Sequence, residues 1–342
     1  MVRQIDLAPA IYEHAAALIA STPSQVSRDP ELLFQAHAAA FRLYGHAPVV
    51  VGIDIYNLEA EAYGARINAP AGNGIPAISA YVCSGSDRIG QLTPLDPKKA
   101  GRLPMVIATG KRLADTFPEA DIRIPVSGPF SLASNLVGFD RLLCDMLDAP
   151  ESVKDALRFL VQGQLAFCRE IVDQGMGIAF FESGATPPLI SPEMFAKIEL
   201  PALKFIINKA SAIAGHPIPC IIGGNTLPIL DSILETGTGY VICPYETDQA
   251  AFMQKMQAYP EVMVRLNTDA RAFASGHVTA VYRELERVLA LAGGRDRVCI
   301  GTGALPFETD PDLVLKAKAF LRDRISSPTK QMQPIAAKRC SG

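Results

Sequence analysis

Short apolar runs alternate with longer amphipathic stretches along most of this chain. Seven runs are almost continuously apolar: Pro48–Ile53, Ile122–Val126, Gly177–Phe181, Ile218–Ile222, Tyr240–Cys243, Val262–Leu266 and Arg297–Ile300. Continuous runs predict parallel strands covered on both faces, because a solvated face would put polar residues at every second position. The pattern places an eighth strand near Ile75–Cys83. The intervening segments read as helices. In Pro150–Gln174, residues Val153, Ala156, Leu157, Leu160, Val161, Leu165 and Cys168 recur at helical spacing, and Gly175 follows as a stop.

Four helix starts are predicted where a capping side chain directly precedes proline: Asp29-Pro30, Asp96-Pro97, Ser191-Pro192 and Asp310-Pro311. The side-chain oxygen accepts from free helix N–H groups, and proline suits the first turn because its missing N–H had no partner there. Strand followed by helix, repeated along the chain, implies right-handed crossovers and a mostly parallel sheet. No dinucleotide fingerprint follows the first strand, so a closed (β/α)8 barrel of the TIM type is expected rather than an open sheet. Residues 1–326 are expected to form this one unit, with residues 1–28 as a helical lead-in built on Ile11–Ala20. Residues 327–342 are expected to be a disordered tail.

Composition narrows the function classes. Hydrophobic residues make up 49% and charged residues 20% of the 342, enough apolar material for a large core. A net charge of −3 gives no electrostatic reason to expect nucleic acid. No apolar run approaches the roughly 18 residues of a membrane span. The N-terminal residues show no apolar signal core, so the expected location is the cytoplasm. A homo-oligomer is compatible with all of this. The seven cysteines are widely spaced without a CxxC, which points to small buried hydrophobes rather than a disulfide framework. The histidines form no HxH or HxxxH pair, and His14 and His37 sit in helix patterns as structural residues.

Chemistry in such a barrel belongs at the C-terminal ends of the strands. Residues just past the predicted strands are Asp54, Ser127-Gly128-Pro129-Phe130, Glu182, Gly223-Gly224-Asn225-Thr226, Pro244-Tyr245-Glu246, Asn267-Thr268-Asp269 and Gly301-Thr302-Gly303. Individually these are also turn and cap residues. As a set around one mouth they mark a site. Asp54 and Glu182 are the candidates for proton handling, because carboxyl groups in a partly apolar pocket hold their protons to higher pH. Tyr245 is the third catalytic candidate. Ser127, Gly128, Phe130, Asn225, Asn267, Asp269 and Gly303 are expected to hold substrate or cofactor.

Three stretches resemble the uroporphyrinogen decarboxylase superfamily over roughly residues 45–322. Gly52-Ile53-Asp54 with Glu59 through Ala65 looks like its first strand and AExxG-type segment. Ser127-Gly128-Pro129-Phe130-Ser131-Leu132-Ala133 is very close to the GPFSLA segment of its corrinoid-dependent, methylcobamide:coenzyme M methyltransferase-like branch. Phe181-Glu182-Ser183-Gly184 through Ser191-Pro192-Glu193-Met194-Phe195 resembles its acidic strand end and SPxxF helix start. The resemblance implies methyl transfer between a methylcobalamin-type corrinoid, presented by a small partner protein, and a small-molecule donor or acceptor. Thiol-directed members of the branch are expected to bind zinc through an HxCGN motif and a later cysteine. Here Ile221 and Gly223 occupy the histidine and cysteine positions, and Gly303-Ala304 falls near the later one. Neither side chain ligates a metal, so the ordinary zinc site is not expected. Cys220 is one residue off that parity and faces the other side of its strand.

Two further readings stay open at this level. One is a decarboxylase of a tetrapyrrole or smaller acid, for which Asp54 is in place and Arg66, Arg88 and Arg265 are the basic residues available. The other is a non-catalytic accessory or binding protein whose pocket is filled by Phe130, Phe181 and Tyr245.

Overall fold

The computed structural model describes residues 5–326. Eight parallel strands frame the molecule: β1 (Leu7–Ala10), β2 (Val49–Val50), β3 (Ile122–Ser127), β4 (Gly177–Phe181), β5 (Pro219–Cys220), β6 (Tyr240–Cys243), β7 (Met263–Asn267) and β8 (Val298–Ala304). Pairing runs β2–β3–β4 and β5–β6–β7–β8–β1, all parallel. The two arcs meet where Phe181 bridges Ile221. Helices separate successive strands, as expected of a (β/α)8 barrel.

Two placements differ from the sequence reading. The missing strand is β1, inside the segment read as a helical lead-in, and it pairs with β8 through Leu7↔Ile300 and Ala8↔Gly301. Its four residues include Pro9, which has no N–H for a ladder, and the register shifts between Ala8 and Ala10. Only short helices, Glu13–Ala17 and Pro23–Val26, follow it before the long helix Pro30–Tyr44. Ile78–Ala80, placed in the barrel by sequence, instead pairs antiparallel with Arg66–Ile67 in a separate hairpin. The expected tail, 327–342, lies outside the described residues.

Three of the four predicted caps form as argued. Asp29 Oδ1 accepts from the N–H groups of Glu31 (2.8 Å) and Leu32 (3.0 Å). Ser191 Oγ accepts from Met194 N–H at 3.1 Å, and Asp310 Oδ1 from Asp312 N–H at 3.0 Å. Asp96 accepts from Lys98 N–H at 3.0 Å, but caps only a turn; the next helix begins at Leu103.

Side-chain alternation divides the apolar residues into two cores. Phe180, Cys220, Val264 and Leu266 point outward into the large core between strands and helices. Ile55, Ala179, Phe181, Ile221 and Ile242 point into the barrel and form a small cluster packed against Tyr12, Val50, Tyr56 and Tyr240. The inner cluster leaves the C-terminal end of the barrel open.

Candidate active site

That open end holds a cavity of about 450 Å³. Its apolar walls come from Ile53, Ile55, Phe181, Ile221 and Ile242, and its polar lining includes Tyr12, Tyr56, Ser183, Arg265 and Asn267. Contributions from β1, β2, β4, β5, β6, β7 and β8 or the loops after them converge there. The volume lies within the roughly 300–1,000 Å³ usual for small-molecule sites. The cavity is open, and Phe181 forms one wall of it rather than a plug.

Among the sequence candidates, Asp54, Asn267 and Gly303 line this cavity. Asp54 is not a free carboxylate. Arg102 grips it with two hydrogen bonds of 2.8 and 2.7 Å, and Asn57 Nδ2 donates a third at 3.0 Å. Arg102 also pairs with Glu61 and donates to the Ser27 carbonyl at 2.9 Å. Asp54 is therefore tied into a buried ion pair rather than standing free in the cavity. Arg102 follows no strand and carried no sequence signal.

Glu182 does not line the cavity. Phe181 points inward, so the next residue points outward, behind the barrel wall. There the carboxylate sits at the N-terminus of helix Pro129–Val137, accepting from Phe130 N–H (3.0 Å), Ser131 N–H (2.9 Å) and the Ser131 hydroxyl. Free N–H groups and the positive end of the helix dipole make this a strong carboxylate site. Gly128 makes it possible: a Cβ there would lie 1.9 Å from Glu182 Oε2. The GPFSLA segment thus builds a carboxylate socket. Ser127 and Phe130, both fully buried, belong to the same wall rather than to the cavity lining.

Behind Glu182 lies a second acid that the sequence did not mark. Glu199 ends a π-helical turn, Phe195–Glu199, inside the helix that follows β4. Both carboxyl groups are fully buried. Burial raises both acids, Glu199 well above the ordinary carboxyl range, and Glu182 beside it raises it further. Burial and the neighbouring Glu182 thus favour the protonated form of Glu199, whose two carboxyl oxygens have no hydrogen-bond partner among the described residues. A third buried acid, Glu59, accepts from Ser127 N–H at 2.8 Å and is pushed up to about 7 by burial.

The folded state thus holds protons that the unfolded chain releases above about pH 4.5, the ordinary glutamate value. More protons on the folded state means that stability falls as pH rises from about 4.5 to about 7 through this group. Glu199→Gln removes one such ionisation at nearly the same side-chain volume. Urea unfolding should find this variant about 1–2 kcal/mol more stable than wild type at pH 8, with the gap closing by pH 5. Equal stability at both pH values would mean that Glu199 is not held protonated.

Tyr245, Asn225 and Asp269, also expected in the pocket, are not among its lining residues. Tyr245 is half exposed between Arg271 and Arg287, whose guanidinium carbons lie 5.6 and 5.4 Å from its ring centre. Asn225 is exposed and accepts from Thr247 Oγ1 at 3.0 Å. Asp269 caps helix Ala270–Ala274, accepting from Arg271 N–H at 3.0 Å.

Several cavity residues escaped the sequence reading. Tyr12 would have been found had β1 been recognised, since it lies two residues beyond the strand end. Tyr56 shares its parity with Asp54, and its hydroxyl is 2.6 Å from Ser183 Oγ. Arg265 lies within β7 and, like Asn267 two residues on, points inward. Arg66 and Arg88, its companions in the decarboxylase reading, are exposed at the hairpin and on a 3₁₀ turn.

The positions corresponding to zinc ligands test the metal directly. Ile221 and Gly223 both line the cavity, where they present a hydrocarbon and no side chain. Gly303 and Ala304 are its neighbours across the mouth. Cys220 is buried in the outer core, as parity required, and Cys243 is buried there too. Among the described residues no three His, Cys, Asp or Glu side chains are placed to hold a metal ion. The residues present do not fit the zinc site.

A family model described as uroporphyrinogen decarboxylase (URO-D) matches residues 4–316. This chain belongs to the URO-D family. Two methylcobamide:CoM methyltransferases MtaA from Methanosarcina barkeri are similar to it. One, from strain Fusaro, is 24% identical over 280 residues, 81% of this chain and 80% of the relative. The other is 24% identical over 297 residues, 86% of this chain and 85% of the relative. The solved structure of a methyltransferase from Methanosarcina mazei superposes with a TM-score of 0.79 at 21% identity, covering 95% of both chains. A B12-independent methionine synthase from Shewanella has a TM-score of 0.50 at 12% identity, covering 88% of this chain and 90% of that one. At these identities the solved structures show a shared fold and nothing further. Among the described residues no helix is long and apolar enough to cross a membrane.

Proposed function

We propose that this URO-D family member is a methyltransferase that moves a methyl group between a corrinoid, presented by a small partner protein, and a small molecule held in the barrel mouth, without zinc. The methylcobamide specificity of the M. barkeri relatives supports the corrinoid half of this reading. The observation that carries the rest is the cavity itself: an open, mostly hydrocarbon pocket at the strand ends, with Ile221 and Gly223, which cannot ligate a metal, in its lining. The corrinoid, when bound by its carrier, supplies or takes up the methyl group at its cobalt.

The chain's own residues then do three things. Ile53, Ile55, Phe181, Ile221 and Ile242 exclude water, which would otherwise compete for a reactive methyl group. Tyr12 holds its proton at neutral pH, because burial pushes its hydroxyl up to about 12, and so donates a hydrogen bond to the heteroatom that loses or gains the methyl. Tyr56 and Ser183 form a second hydroxyl pair on the same wall. The Asp54–Arg102 pair and the Gly128–Glu182 socket fix that wall in place. A methyl ether or methylated amine fits this equipment as donor, since protonation and desolvation activate it without thiolate chemistry. A folate-like acceptor fits the reverse direction. The reading places the reaction in the cytoplasm, on residues 1–326 as one catalytic unit.

The test is spectroscopic. Mixed with cob(I)alamin and methyl donors, or with methylcobalamin and acceptors, the protein should change the corrinoid's visible absorbance. No change with any donor or acceptor would remove the proposal.

A further inference from the structure

Three groups from outside the barrel hold the segment that runs from β2 along the cavity, residues 52–57. Arg102 grips Asp54, and Asn135 Nδ2 donates to the Tyr56 carbonyl at 2.8 Å. The third is His37, on helix Pro30–Tyr44, whose Nε2 accepts from Gly52 N–H at 3.0 Å. These anchors bear on the site, because Ile53, Asp54, Ile55, Tyr56 and Asn57 all line the cavity.

Topology creates the need for the His37 bond. β2 pairs with β3, and among the described residues no ladder joins β2 to β1. Val49 and Val51 send their N–H groups toward β3, to the carbonyls of Asp121 and Arg123. Alternate N–H groups of a strand point to opposite sides, so that of Gly52 points away from β3. A buried N–H there needs an acceptor, and a side chain supplies it. Gly52 has a φ of +146°, which favours glycine, and a Cβ there would lie 3.1 Å from Ile55 Cγ2.

Accepting at Nε2 fixes the state of the ring. A neutral imidazole carries one N–H, which must then be on Nδ1. His37 is fully buried, and its Nδ1 has no hydrogen-bond partner among the described residues. A second proton would have to sit on Nε2, donor against donor with Gly52 N–H. The surrounding groups offer no free negative charge. His46 is the titratable neighbour, and His14 turns to the Tyr44 hydroxyl (2.8 Å) and the Phe307 carbonyl (3.4 Å). Lys318 donates to the carbonyls of Tyr44 and Gly45, and Arg112 lies over Phe34 and pairs with Glu31. Burial accordingly pushes His37 down from 6.5 to about 4.

We propose that His37 is a positioning residue for the active site: as a neutral acceptor it holds residues 52–57 in the cavity wall, and its protonation releases them. This rests on the cavity being the place of the proposed methyl transfer. The released histidine binds a proton that the held one refuses, so the anchor is at full strength above about pH 6.5 and is lost as pH falls toward about 4. Arg102 stays charged and Asn135 neutral over that range, so of the three anchors it is His37 that responds to acid.

Hydrogen exchange of the ligand-free full chain reads the release without corrinoid. It is followed by mass spectrometry on a peptide spanning residues 49–57, corrected for the intrinsic rate at each pH. From pH 7.5 to pH 4.5 wild-type exchange in this peptide should rise about 70-fold, the ratio for a histidine at 6.5 when released and about 4 when held. Exchange in β7, Met263–Asn267, should not rise with it. His37→Gln, whose Oε1 can accept from Gly52 but takes up no proton, should change by less than about 3-fold. His37→Leu, without an acceptor, should exchange fast already at pH 7.5; if it fails to fold, wild type against His37→Gln carries the comparison. In histidine-labelled protein, the NMR signals missing from His37→Gln should be those of an Nδ1–H tautomer. An Nε2–H tautomer, an equal acid response in wild type and His37→Gln, or a rise shared by Met263–Asn267 would overturn the positioning role. The expected exchange pattern without methyl transfer would leave that role standing and overturn the reaction instead.

Discussion

Replacing Gly128 with alanine should cost this protein about 2–4 kcal/mol, far more than one methyl group ordinarily does. The new Cβ would stand 1.9 Å from Glu182 Oε2 and 2.7 Å from Glu182 Cβ. Glu182 has nowhere to go. Its carboxylate is held by Phe130 N–H, Ser131 N–H and the Ser131 hydroxyl, and it is fully buried against Glu199. Moving it strands two helix N–H groups without acceptors in the interior. Gly90→Ala is the control: nothing lies within 4 Å of a Cβ at Gly90, so its effect should stay within about 0.5 kcal/mol. In the double variant Gly128→Ala/Glu182→Ala the clash is gone, and the combined loss should be smaller than the sum of the two single losses. Urea denaturation of the four proteins reads this directly. Additive losses would show that the two residues do not share a socket.

Arg102→Leu should cost about 3–5 kcal/mol. It leaves the Asp54 carboxylate, whose side chain is 1% exposed, with only Asn57 as a donor. Glu61 and the Ser27 carbonyl lose their partner too. Asp54→Asn should cost less, about 1–3 kcal/mol, because Arg102 keeps Glu61 as a counter-charge. The order of the two variants distinguishes a positioned ion pair from a catalytic aspartate. Urea unfolding curves of the two variants and wild type provide the check. A loss under 1 kcal/mol for Arg102→Leu would mean that water, not Arg102, compensates Asp54.

The barrel was legible because parallel strands covered on both faces leave uninterrupted apolar runs, and seven of the eight did. β1 was not legible because Leu7-Ala8-Pro9-Ala10 is four residues long, carries a proline and runs straight into the next apolar stretch. Nothing in its pattern separates it from a helix start. The site was legible only as far as alternation was applied. Parity placed Ile221 toward the cavity and Cys220 away from it, and both stand so. The same step from Phe181 to Glu182 sends the glutamate behind the wall, and from Asn267 back to Arg265 brings the arginine in. Taking the strand-end residues as one set obscured both. Arg102 and Glu199 were beyond any such rule, since each reaches its partner from a segment with no strand-end signature.

Methyl transfer without zinc is tested most directly by assaying the protein after exhaustive treatment with a zinc chelator, with elemental analysis of the same sample. Corrinoid absorbance should still change with a methyl donor or acceptor, at a rate unaffected by chelation, in protein carrying well under one zinc per chain. About one zinc per chain, with activity lost on chelation and restored by adding the metal, would contradict it and return the chemistry to an activated thiol.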